Sequence, residues 1–214
     1  MAVFVTAPPR ATVERLPRLL TGLVLCGIGI SLMVASDLGL APWDVLHQGI
    51  SKHTDIPIGT VGILVGFVVL LGWLPLKERY GVGTLLNVFT IGVTIDVALA
   101  VLPEHPSAPI QWAFLVVGIV LLGPGCGLYI GCGLGAGPRD GLMTSLAARG
   151  WSIRLVRTVM ELTVLALGFV LGGSVGIGTV AFALTIGPNV HYFLERLTLE
   201  PISEIHPQPV LEVE

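Results

Sequence analysis

Residues 27–44 and 123–140 align without a gap at an offset of 96, so that Gly27 falls on Gly123 and Gly29 on Gly125. In the same frame Leu38-Gly39 falls on Leu134-Gly135, and Pro42-x-Asp44 on Pro138-x-Asp140. One residue is then lost from the second copy. At an offset of 95 the match resumes, with Gly81-Val82-Gly83-Thr84 on Gly176-Ile177-Gly178-Thr179 and Thr90-Ile91-Gly92 on Thr185-Ile186-Gly187. The chain is an internal duplication, and any fold it adopts must accommodate the same unit twice.

Composition decides the solvent. Of 214 residues, 53% are hydrophobic and only 12% charged, against about 25% charged in soluble domains. This identifies an integral membrane protein with no soluble stretch large enough for a core of its own. The net charge of -3 speaks against nucleic acid as a partner. Cys26, Cys126 and Cys132 all fall in apolar runs, where a thiol is most simply a small hydrophobe. Cys126 and Cys132 are six apart, a spacing that suits neither a redox pair nor zinc, so no metal and no cofactor is expected.

Apolar runs of about 20 residues span a bilayer. On that criterion the chain has six, at 18–36, 59–76, 82–102, 110–133, 153–172 and 175–195. The first follows Arg10, Arg15 and Arg18 and ends at the small pair Ala35-Ser36, the outline of a secretory leader. Its counterpart in the second copy is interior, which favours a retained helix. Between the first and second spans of each copy lies a short polar segment beginning with proline, at 41–53 and 137–150. Proline is favoured at the first helical position, and both segments read as short re-entrant or interfacial helices.

Three spans per copy mean that the second copy enters the membrane from the opposite face. The basic residues agree: with a cytoplasmic N-terminus, Arg10, Arg15, Arg18, Lys77, Arg79, Arg139, Arg149, Arg154, Arg157 and Arg196 lie inside, and only Lys52 outside. The expected fold is therefore an all-α membrane protein. Its six transmembrane helices form two inverted three-helix repeats in a bacterial plasma membrane, with both termini cytoplasmic. The expected divisions are a basic N-terminus at 1–17, repeat 1 at 18–103, repeat 2 at 110–197 and an acidic, disordered cytoplasmic tail at 198–214.

Polar residues in these apolar surroundings are the candidates for function. Asp44 and Asp140 stand two residues after the helix-starting prolines. There a carboxylate caps free N–H groups, and a helix N-terminus at membrane depth is also an element that transporters aim at anions. Arg139 has Trp43 as its counterpart, so the second copy alone has a cation there; it either binds an anionic solute or anchors to phospholipid. Arg157 and Glu161 are four apart on one helical face, as an ion pair or as a site with Glu161 as proton-coupling group. Asp96 aligns with His191 and is either interfacial or functional. Gly123, Gly127, Gly131 and Gly135 form a stripe that lets another helix approach closely, as do Thr179, Ala183 and Gly187. These stripes also make a homodimer an expected partnership.

The elements at 38–46 (LGLAPWDVL), 134–142, 81–85 and 176–180, with SIRLVRTVME at 152–161, resemble those of the YitT/YczE-type bacterial membrane proteins. The resemblance covers about residues 18–197. It implies a bacterial integral membrane protein and brings no substrate or site with it, because that family is largely uncharacterised.

The leading expectation is a small secondary transporter or channel-like carrier of a small polar solute, anions included, by alternating access of inverted repeats. Asp44, Asp140, Arg139, Arg157, Glu161 and Asp96 are its candidate substrate-binding or coupling residues, and the lipid bilayer is its other partner. The alternative is a non-transporting scaffold, accessory or substrate-capture subunit of a larger complex. An enzyme is not expected, since no HExxH motif, G-x-S-x-G elbow or matched nucleophile and base occurs. The inverted arrangement has a direct test. Cysteine in place of His105, between the repeats, is expected to react with a membrane-impermeant thiol reagent added outside, and reaction from the cytoplasmic side alone would contradict it.

Overall fold

The computed structural model describes residues 9–76 and 81–199. They form eight helices: α1 (Pro9–Ser36), α2 (Pro42–Thr54), α3 (Ile58–Leu76), α4 (Val82–Leu99), α5 (Ala108–Gly131), α6 (Pro138–Ala147), α7 (Ile153–Val170) and α8 (Ile177–Leu197). No strand occurs among the described residues. The chain is an all-α membrane protein. By length and composition α1, α4, α5 and α8 can each cross a bilayer alone, and α2 with α3, bent at 114°, is a fifth span or a re-entrant pair. α7 falls outside that class because Arg154, Arg157 and Glu161 lie within its 18 residues.

Glycine decides the central packing. α1 and α5 cross antiparallel, and a side-chain carbon at Gly22 would fall 2.7 Å from the carbonyl oxygen of Gly125. One at Gly118 would fall 2.7 Å from that of Gly29. Each of these pairs is the other's counterpart in the duplication. Around the crossing lie Leu19, Leu23, Cys26, Met33, Leu115, Ile119, Leu122 and Tyr129, all buried. Against its other face α5 takes α8, through the expected stripe: Gly123 lies against Asn189, Gly127 against Phe193 and Gly131 against Leu197. Nδ2 of Asn189 donates to the Ile119 carbonyl at 2.8 Å. The stripe is thus consumed within the chain. Of the second stripe only Thr179 is buried, while Ala183 and Gly187 stay exposed.

The two repeated motifs of the duplication meet each other across the copies. The N–H of Gly83, at the start of α4, donates to the Leu134 carbonyl at 2.9 Å, and the N–H of Gly178, at the start of α8, donates to the Leu38 carbonyl at 2.7 Å. Gly39 and Gly135 sit at φ 112° and 132°, a region that side chains disfavour. Thr84 and Thr179 then accept, through Oγ1, the N–H of Gly81 and Gly176 at 3.3 Å. Each G-x-G-T helix start is therefore closed partly by its own threonine and partly by the Leu-Gly turn of the other copy.

α1 begins at Pro9, not at residue 18, and runs unbroken through Pro17. The reason lies in the basic residues of its first turns. Arg15 donates through Nη1 to the Cys132 carbonyl at 2.9 Å, and Arg18 donates through Nη2 to the Leu197 carbonyl. These side chains close the C-terminal ends of α5 and α8, where cations are favoured. Beyond α8, Leu199 still donates its N–H to the Gly131 carbonyl at 2.9 Å. Lys77, Arg79 and the acidic tail from residue 200 on lie outside the described residues.

Overpacking a close crossing of this kind costs roughly 1–3 kcal/mol. Gly22→Ala and Gly118→Ala are each expected to destabilise the detergent-solubilised protein by that amount in thermal unfolding. Gly187→Ala, with nothing within 4 Å of the added carbon, is expected to leave the midpoint unchanged.

Candidate functional site

The two Pro-x-Asp helices point their first turns at one cavity. α2 starts at Pro42 with Ala41 before it, α6 at Pro138 with Gly137 before it, and in neither does a side chain cap the helix start. Proline supplies the fixed φ and lacks the N–H that would otherwise be unmet. The cavity between them holds about 140 Å³. That is well above the roughly 10–15 Å³ a cavity needs to hold a single water. Its walls come from both copies: Ala41, Trp43 and Asp44 from α2 and its approach, and Gly137, Arg139 and Asp140 from α6 and its approach. Cys26 and Ile30 of α1 face the same space, as do Leu122 and Cys126 of α5.

The polar groups are few and specific. Asp44 is buried, with its Oδ1 3.5 Å from Nδ1 of His47, one turn along α2. Asp140 accepts a hydrogen bond from the Tyr129 hydroxyl at 3.1 Å. Arg139 is exposed, and its side chain stands on the cavity wall. The Asp140 and Asp44 carboxylates both act on its guanidinium through space. No ion pair or hydrogen bond joins Arg139 to any described residue. Two carboxylates and one guanidinium with its donors unused thus share a small, mostly apolar chamber. Such a constellation orients a small solute by charge and excludes larger ones.

Of the six candidate residues, then, the structure brings Asp44, Asp140 and Arg139 together. Asp96 lies elsewhere, on α4. It accepts the N–H of Gly59 at 2.6 Å, the N–H of Thr60 at 2.8 Å and the Thr60 hydroxyl at 2.7 Å, and so caps the start of α3. Arg157 and Glu161 pair at 3.3 Å on α7 with side chains 57% and 32% exposed, outside the cavity wall. Asn87, an uncharged polar group legible in the third apolar span, also lines the cavity, and His47 and Tyr129 join it without having been singled out in the sequence. The i,i+3 spacing of Asp44 and His47 was a signal for the histidine. Tyr129 is hidden in a glycine run whose pattern speaks of packing. Cys26 and Cys126, with Sγ atoms 3.9 Å apart at the α1–α5 crossing, are also juxtaposed by tertiary structure alone. Among the described residues no three His, Cys, Asp or Glu side chains converge as metal ligands.

The model of a family described as "Family of unknown function (DUF6198)" matches residues 13–195. The chain is 45% identical to an uncharacterized protein of Haemophilus influenzae, over 86% of this chain and 84% of that one. It is 36% identical to the uncharacterized membrane protein YczE of Bacillus subtilis, over 82% and 83% of the two chains. Identity to the uncharacterized protein YyaS of the same organism is 30%, over 86% and 92%. No solved structure matches the chain significantly.

Capping by Asp96 predicts a stability effect. Hydrogen bonds to a charged group contribute about 1.5–3 kcal/mol. Asp96→Ala is expected to lower the unfolding free energy by that order and Asp96→Asn by less, read by thermal unfolding in detergent. An unchanged midpoint for Asp96→Ala would remove the capping role.

Proposed function

We propose that this chain, which belongs to the YczE-type membrane proteins of the DUF6198 family, is a small secondary transporter or channel-like carrier. Its solute is small and polar and has an anionic group. The observation that carries the reading is Arg139: a guanidinium beside Asp44 and Asp140 on the wall of a cavity that both copies build, with donors that make no hydrogen bond to a described residue. Asp140 and Asp44 offset its charge through space, while its hydrogen-bond donors stay available to a ligand. The planar, five-donor guanidinium suits a carboxylate or a similar oxyanion. The two uncapped helix starts add their positive ends on either side of the same space.

Alternating access follows from the way the copies are joined. In this reading they are inverted repeats in a bacterial plasma membrane, with α3 and α7 as spans beside the four longest apolar helices and both termini cytoplasmic. The antiparallel α1–α5 crossing and the reciprocal Gly83–Leu134 and Gly178–Leu38 hydrogen bonds support a pseudo-two-fold axis in the membrane plane. Inverted repeats can exchange the shapes of their halves around a fixed central site. The reading is of carriage, with no chemical step.

Purified protein in liposomes tests it, with a panel of small carboxylates, phosphates and amino acids offered for uptake and exchange. Flux of at least one solute is expected from the wild type, reduced more than tenfold by Arg139→Gln. No flux for any solute, together with a partner protein that copurifies stoichiometrically, would instead favour the accessory-subunit alternative.

A further inference from the structure

The cavity wall is two-sided in one part and one-sided in another. Around the α1–α5 crossing and the two Pro-x-Asp starts, counterpart residues of both copies line it. The third helix of each copy behaves differently: α3 lines the cavity with Gly62 and Gly66, while α7 contributes nothing. α3 and α7 begin at Ile58 and Ile153, in the frame offset by 95. In that frame the counterparts of Gly62 and Gly66 are Arg157 and Glu161. The ion pair on the outside of α7 thus occupies the positions that, in the other copy, line the cavity.

The same frame shows what keeps α7 out. α3 is clasped to α4: a carbon added at Gly92 would fall 2.6 Å from the Gly59 carbonyl oxygen, and one at Gly66 3.0 Å from Val88. At Gly187, the counterpart of Gly92, nothing lies within 4 Å. α7 packs on α2 and α6, and no comparable packing joins it to α8. α7 is exposed around most of its circumference, Val159 and Leu162 included, so in the carrier reading Arg157 and Glu161 border membrane hydrocarbon, a poor environment for charge.

We infer that Arg157 and Glu161 are the solute-facing groups of a second arrangement, in which α7 closes onto α8 as α3 closes onto α4 here. In it the pair replaces Gly62 and Gly66 in the cavity wall. The inference rests on the carrier reading above and deepens it. The space at Gly187 is the room into which α7 moves. Closure takes the ion pair out of the hydrocarbon and adds a cation and a carboxylate to the chamber already holding Arg139, Asp44 and Asp140.

Cross-linking reads this geometry without relying on transport. Thr158 and Gly187 are the counterparts of Ile63 and Gly92, which touch in the present arrangement. In full-length protein in liposomes, the double variant Thr158→Cys, Gly187→Cys is expected to form a disulfide on mild oxidation, identified by mass spectrometry of the joined peptides. Gly66→Cys with Val88→Cys is the control for the clasp already formed. Locking 158 to 187 is expected to cut solute exchange more than tenfold, with recovery on reduction. Glu161→Gln is expected to lower exchange at least fivefold while its thermal midpoint stays at the wild-type value. A control pair that links while 158 and 187 never do would overturn the inference, as would undiminished exchange in Glu161→Gln. Wild-type flux alongside either result leaves the carrier reading standing, whereas a wild type that carries nothing sinks both.

Discussion

Everything else in this molecule hangs on a pair of backbone hydrogen bonds, in which each copy closes a helix start that belongs to the other. The first N–H groups of a helix need partners, and in a membrane water does not supply them. Here the carbonyls of Leu38 and Leu134 meet the starts of α8 and α4, from turns that only glycine at 39 and 135 adopts without strain. The two copies are therefore not neighbours packed by shape alone. Each is incomplete without the other, which fixes where α4 and α8 begin relative to the central α1–α5 crossing. That crossing in turn sets the distance between the two Pro-x-Asp helices and so the size of the chamber.

The chamber's chemistry comes from breaking the repeat at a few positions. Asp44 and Asp140 are equivalent, but Trp43 stands opposite Arg139, so a symmetric frame holds a single cation on one side. Apolar walls make this charge distribution decisive, since charges separated by little water interact strongly. A scaffold of this kind can keep its architecture while one substitution beside a helix start changes the charge of its cavity.

Much of this was legible in the sequence, for a physical reason. Pro42 and Pro138 announce helix starts through a fixed φ, and the glycines of the fourth span announce close approach through their spacing, so the short helices and a close contact along α5 follow from local patterns, though not that α8 makes it. What could not be read was which of several polar residues share a space. Asp96 has the composition of a site residue, yet its carboxylate is occupied by the start of α3. Arg157 and Glu161 have the i,i+4 spacing of a pair but carry no local mark of which way α7 turns them. The reach of α1 back to Pro9 was equally hidden, because the basic residues there find their carbonyls at the ends of α5 and α8 more than a hundred positions away.

One remaining difference between the copies concerns the contacts of the short helices. Gly168 lets the backbone of α7 lie directly against Val45 and Leu46 of α2. Its counterpart is Trp73, whose ring packs on Gly141 and whose Nε1 donates to the Pro138 carbonyl at 2.9 Å. A glycine and an indole cannot trade places in one interface. In the proposed carrier, with halves that exchange roles, the two end states would then differ in free energy, and a difference of only about 1.4 kcal/mol would hold the resting population near ten to one. Under that proposal Trp73 is the residue that would bias the duplicated fold towards one of its two states.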